Sequence, residues 1–150
     1  MYVTRLLSII LIMPLEPKFY KLNHSIYASH YHLVLTAKYR RKVINGPILA
    51  RIEQLVRKRS EDWGGELLEM NGEADHVHFL SSLPPTMDLT KFINNVKTTY
   101  SRVIRNEFSD HVSKFYWKSV FWSRTYCLVS CGGAPFSIIK QYIENQDQPD

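Results

Sequence analysis

A switch between two hydrophobic periods along the chain is the feature that most limits its fold. Tyr31 to Thr36 reads as an apolar strand, and Asn45-Gly46-Pro47 then makes a turn with proline at a first helical position. Ile48, Leu49, Ile52, Leu55 and Val56 recur at three and four residues, with Arg51, Lys58 and Arg59 outside that stripe, which predicts a helix ended by Gly64-Gly65. Glu66 to Asn71 and His76 to Ser81 read as two short strands around a Gly72-containing turn, and Pro84-Pro85 stops the second. Asp88 is placed to cap a further helix with Leu89, Phe92, Val96, Tyr100 and Val103 on one face and Lys91, Arg102 and Arg105 on the other. A strand within Phe121 to Ser130 precedes Gly132-Gly133 and a last helix from Pro135. The order β-α-β-β-α-β-α predicts an α+β fold. It is a ferredoxin-like or RRM-like antiparallel sheet with helices on one face, the other face left to a partner, and an added C-terminal helix.

A chain of 150 residues is enough for one domain with a core of its own. Residues 24–150 are expected to form it, with 1–23 a dispensable extension. An apolar fraction of 45% and a charged fraction of 22% exclude disordered and fibrous classes. The net charge of +5 leans toward a polyanionic partner without proving one. Cys127 and Cys131 match neither a disulfide framework nor a four-ligand zinc site, which points to reduced thiols in a cytoplasmic protein. Arg5 followed by Leu6 to Leu15 has the outline of a secretory signal. The run is too short to span a bilayer, however, and Pro14 with Glu16 ends it without a cleavage motif, so no membrane role is expected. Met13 is an alternative start.

The chemistry is carried by two short patterns. On a strand, side chains alternate faces, so His76 and His78 point one way and Val77 and Phe79 the other, and two imidazoles on one pleat can share a metal ion. Asp75 can orient one of them from behind. In a helix, Tyr142 and Gln146 lie one turn apart and present a phenol and an amide to one target. Either pattern has a bland reading: an HxH triplet arises easily by chance, as His30-Tyr31-His32 shows, and the last helix can be a docking helix alone. The His30/His32 pair fits either a structural role or a place near bound phosphates. Lys38, Arg40, Arg41 and Lys42 form the densest basic run, Tyr39 among them can stack on an unpaired base, and Lys91, Arg102, Arg105 and Arg124 extend the cationic surface. A solvated charge run is the alternative.

Taken together and in order, these segments resemble a known family, the single-tyrosine transposases of small bacterial and archaeal insertion sequences within the HUH endonucleases. The resemblance runs from Tyr31-His32-Leu33-Val34 and Lys38-Tyr39-Arg40-Arg41 through Asp75-His76-Val77-His78 and Phe121-Trp122-Ser123-Arg124-Thr125-Tyr126. It continues with Gly132-Gly133-Ala134 and Tyr142-Ile143-Glu144-Asn145-Gln146. The chain departs from the family in its longer extension and in Thr98-Thr99-Tyr100, where a glycine followed by small residues is common.

The resemblance implies that His76, His78 and Gln146 bind a divalent ion, Mg²⁺ or Mn²⁺, and that Tyr142 is the nucleophile. The implied partner is single-stranded DNA with hairpin ends, and the implied assembly is a homodimer in which Gly132-Gly133 is a hinge and sites are shared between subunits. Attack by Tyr142 would give a 5′-phosphotyrosine and a free 3′-hydroxyl, and rejoining would need no ATP because the ester linkage is kept. Two other functions fit the same residues: a non-catalytic RRM-like nucleic-acid-binding module, and a metal-dependent phosphodiesterase that uses water.

Overall fold

The computed structural model describes residues 20–22, 25–27 and 29–130. Tyr142, Gln146, Cys131, the Gly132-Gly133 hinge and the helix expected over 135–146 lie outside the described residues. So do Met13 and the rest of the leading segment up to residue 19.

A small hairpin, β1 (Tyr20–Leu22) and β2 (Ser25–Tyr27), comes first. The main domain follows as β3 (His30–Ala37), α1 (Gly46–Asp62), β4 (Glu66–Glu73), β5 (His76–Ser82), α2 (Leu89–Glu107), the single turn α3 (Ser109–Val112) and β6 (Trp122–Ser130). The sheet order is β4-β5-β3-β6 with every pairing antiparallel, the ferredoxin-like arrangement. β1 falls inside the stretch expected to be dispensable, and there the Tyr20 hydroxyl donates to the Glu66 carboxylate at 2.6 Å.

Both long helices start where capping chemistry places them. Asn45 Oδ1 accepts from the amide of Ile48 at 2.9 Å and Asp88 Oδ1 from that of Lys91 at 3.1 Å, each satisfying an amide that has no partner inside the helix. Gly64 ends the run after α1 with a φ of 83°, a conformation that glycine adopts without a steric penalty. The helices pack on one face of the sheet. Ile48, Ile52 and Val56 of α1 and Phe92, Ile93, Val96, Tyr100 and Ile104 of α2 meet Leu33, Leu35, Val77 and Phe79 in one core. The stripe of α2 therefore runs through Ile93 and Ile104, with Val103 only half-buried.

Two local expectations are corrected. The β4–β5 turn is Ala74-Asp75, since Glu73 pairs with His76, and Gly72 lies within β4. A β-carbon at Gly72 would stand 2.9 Å from the His76 carbonyl oxygen and 2.9 Å from Leu49 Cδ1, so the glycine serves close backbone approach and not a turn. The second sheet face, expected to be left to a partner, is closed at its centre: His32, Val34, His76, His78, Cys127 and Val129 are all buried.

Candidate active site

β5 positions the histidine pair. Strand alternation sends Val77 and Phe79 into the helix-covered core and His76 and His78 to the opposite face, where the rings stack with centroids 5.9 Å apart and planes 24° apart. Across the ladder His76 faces Thr36 and His78 faces Val34. β5 lies between β4 and β3, so backbone hydrogen bonds fix the strand on both sides.

Asp75, the last residue of the hairpin turn, stands behind His76. Its Oδ1 is 2.9 Å from His76 Nδ1 and its Oδ2 accepts from Arg40 Nη2 at 3.1 Å. Burial opposes ionisation of Asp75, but the His76 hydrogen bond and the charges of His76 and Arg40 outweigh it, so its pKa lies below the usual carboxylate value. An ionised carboxylate only accepts, which puts a proton on Nδ1 of His76 and, in the neutral ring, leaves the lone pair on Nε2. Arg40–Asp75–His76 is thus a relay that sets a tautomer. The sequence suggested its carboxylate but not its arginine, which is 35 residues away.

His78 is held neutral. Burial, followed by the charges of His32 and His76, lowers its pKa to about 3. His32 packs its ring edge-on to that of His78, centroids 5.5 Å apart at 87°, and burial lowers its own pKa to about 4. Of the two roles open to the His30/His32 pair, His32 takes the structural one, near the opposite end of β3 from the basic run.

Two buried imidazoles presented from one pleat, one backed by a carboxylate, are a donor set of the kind that suits a divalent cation. Among the described residues no group of three or more His, Cys, Asp or Glu side chains is arranged to hold a metal ion. A metal ion at His76 and His78 would therefore need a further ligand of another type or from another place. Burial pushes the Cys127 thiol up to about 11.

The cationic residues fall into two groups. Lys38, Tyr39, Arg40, Arg41 and Lys42 follow β3 at the end of the sheet where His76 begins β5. Arg40 is committed to Asp75, while Arg41 and Lys42 are exposed. Lys91, Arg102 and Arg105 share the outer side of α2, across the helical layer from the histidines. Arg124 is exposed on β6, with its carbonyl accepting from Lys97 Nζ at 2.9 Å. No helix among the described residues is long and apolar enough to cross a membrane.

Comparison with known proteins matches this arrangement along most of the chain. The family profile described as "Transposase IS200 like" matches residues 25–146. The transposase of insertion sequence IS200 from Salmonella typhimurium is 32% identical over 129 residues, 86% of this chain and 84% of that protein. The ISDra2 transposase TnpA of Deinococcus radiodurans is 29% identical over 135 residues, 90% of this chain and 94% of that protein. Among solved structures, a crystal structure described as that of a transposase from Deinococcus radiodurans aligns with a TM-score of 0.71 and 26% identity, covering 85% of this chain and 97% of that one. A REP-associated tyrosine transposase bound to a REP hairpin aligns with a TM-score of 0.54 at 10% identity, covering 83% and 68%, a likeness of fold alone.

Proposed function

The chain belongs to the IS200-like transposases, and from that premise we propose that it cleaves and rejoins single-stranded DNA at hairpin-bearing ends of an insertion sequence through a covalent 5′-phosphotyrosine. The observation that carries the reading is the stacked, buried His76/His78 pair with Asp75 hydrogen-bonded to His76 Nδ1. Residues 24–150 act as the one catalytic domain.

His76 and His78, with Gln146 as third ligand, hold a divalent cation, Mg²⁺ or Mn²⁺. Once bound, the cation supplies Lewis-acid stabilisation of charge growing on the scissile phosphate. Asp75 keeps the His76 proton on Nδ1 and Arg40 keeps Asp75 ionised and aimed. Tyr142 is the nucleophile: its oxygen bonds to phosphorus, the 3′-oxygen of the departing strand leaves and takes up a proton, and the tyrosine ester remains. A second 3′-hydroxyl reverses the step, and no ATP is consumed. Lys38, Arg41, Lys42 and Arg124 meet backbone phosphates near the site, while Lys91, Arg102 and Arg105 meet those farther along the DNA.

The test is Tyr142→Phe with labelled single-stranded DNA. The expected outcome is retained hairpin binding and no protein-DNA adduct after boiling in detergent. An adduct of undiminished yield would remove Tyr142 as nucleophile, cleavage without any adduct in the wild type would favour attack by water, and binding with neither would favour a non-catalytic module.

A further inference from the structure

After β3 the chain turns through Lys38–Arg40 with Tyr39 at φ 57° and Arg40 at φ 54°, two successive left-handed residues that carry a β-carbon. That backbone is sterically disfavoured for any residue but glycine, so neighbouring contacts must hold it. The braces are visible: Tyr116 Oη donates to the Lys38 carbonyl at 2.6 Å, Lys38 N to the Phe121 carbonyl at 2.8 Å, and Arg41 Nη1 to the Phe115 carbonyl at 3.2 Å. The turn sends Arg40 inward to Asp75 and Tyr39 outward.

Tyr39, 55% exposed, and Trp117, 91% exposed, are the large apolar side chains that the described residues leave in solvent. Both line one open cavity of about 110 Å³ with Arg41, Phe115, Tyr116 and Lys118. Cations stand near both rings: Lys38 Nζ is 5.2 Å and Arg41 Cζ 5.8 Å from the Tyr39 centroid, and Lys118 Nζ is 5.4 Å from that of Trp117. An indole this exposed has no packing role among the described residues, and ring faces amid positive charge suit a flat, polarisable group attached to phosphate.

We propose that this cavity grips one unstacked base of single-stranded DNA, the base lying against Trp117 and Tyr39 and its flanking phosphates on Arg41 and Lys118. The proposal rests on the single-strand reading above and adds to it a base-holding site at the turn that follows β3. Arg40 joins the turn to Asp75 and so to His76, which puts Tyr39 of the cavity at the sheet end where His76 begins β5. A duplex has its base faces already stacked and offers nothing to such a cavity.

Fluorescence anisotropy with a labelled oligothymidylate and with a labelled duplex of equal length tests it. Trp117→Ala is expected to weaken single-strand binding by roughly ten-fold or more, in the range that loss of one stacked base produces. Duplex binding should stay at the wild-type level, and Trp117→Phe should restore most of the single-strand affinity. Wild-type single-strand affinity in Trp117→Ala overturns the proposal. So does an equal loss on strand and duplex, which would mean a charged surface only, or a change of oligomeric state with strand affinity intact, which would assign the cavity to a second copy of the chain. Scoring the wild-type covalent adduct in parallel separates the two readings. Stacking without adduct keeps the cavity and retires Tyr142, whereas adduct with unimpaired Trp117→Ala binding does the reverse.

Discussion

At the residue scale, His32 and His78 tie the stability of the metal-free protein to pH. The folded chain excludes from His32 a proton that the unfolded chain takes up near pH 6.5, and admits it only near pH 4. Because the unfolded state binds more protons between those values, stability is full above pH 6.5 and is lost as pH falls toward 4. A shift of that size corresponds to about 3 kcal/mol at most, and His78 steepens the decline in the same direction. Urea denaturation in EDTA from about pH 7 to about pH 4 measures it, and His32→Leu should flatten the slope; an unchanged slope would contradict the assignment. For His76 the prediction concerns chemistry: His76→Ala should abolish strand cleavage and weaken Mn²⁺ binding while DNA binding persists with its salt dependence. Strand periodicity alone made the His76/His78 pair legible. The lowered pKa of His78 and the Arg40–Asp75 contact were not, because they depend on burial, on His32 and on Arg40, which only the β3–β5 pairing and the left-handed turn bring close.

At the scale of elements, helix starts and strand order could be read from capping residues and hydrophobic period, and the structure places α1, α2 and β3 within a residue or two of expectation. Gly72 was misread because glycine marks both turns and close backbone approach, and a single sequence does not separate them. Asn45→Ala should lower stability by about 1 kcal/mol through loss of the α1 cap. Gly72→Ala should do more, about 1–3 kcal/mol, because the new methyl meets the His76 carbonyl and Leu49 inside a packed layer. Since that carbonyl belongs to His76, proposed above as a metal ligand, Gly72→Ala should also weaken Mn²⁺ binding, whereas Asn45→Ala should leave it intact. Calorimetric titration of both variants distinguishes the effects. α3 and the loop after it gave no periodic signal, being too short to show one, although they brace the turn that carries Tyr39.

At the scale of the whole molecule, the described residues hold two imidazoles, and the proposed third ligand Gln146 and nucleophile Tyr142 belong to the chain beyond residue 130. A homodimer with shared sites predicts that mixing His76→Ala with Tyr142→Phe, each inactive alone, restores adduct formation, since a mixed dimer contains one intact site. No recovery after subunit exchange would place each tyrosine with its own histidines. Removing Arg41 and Lys42 together should lower the salt slope of single-strand binding by about 0.7 for each phosphate that is no longer neutralised. The two imidazole-bearing strands, β5 and β3, each have a hydrogen-bonded neighbour on either side, so deuterium should enter their amides only when the domain opens globally, while the Tyr39 turn exchanges through local openings of its own. A protein built this way can release one stretch of DNA and take up another without ever dismantling the platform on which bonds are broken and remade.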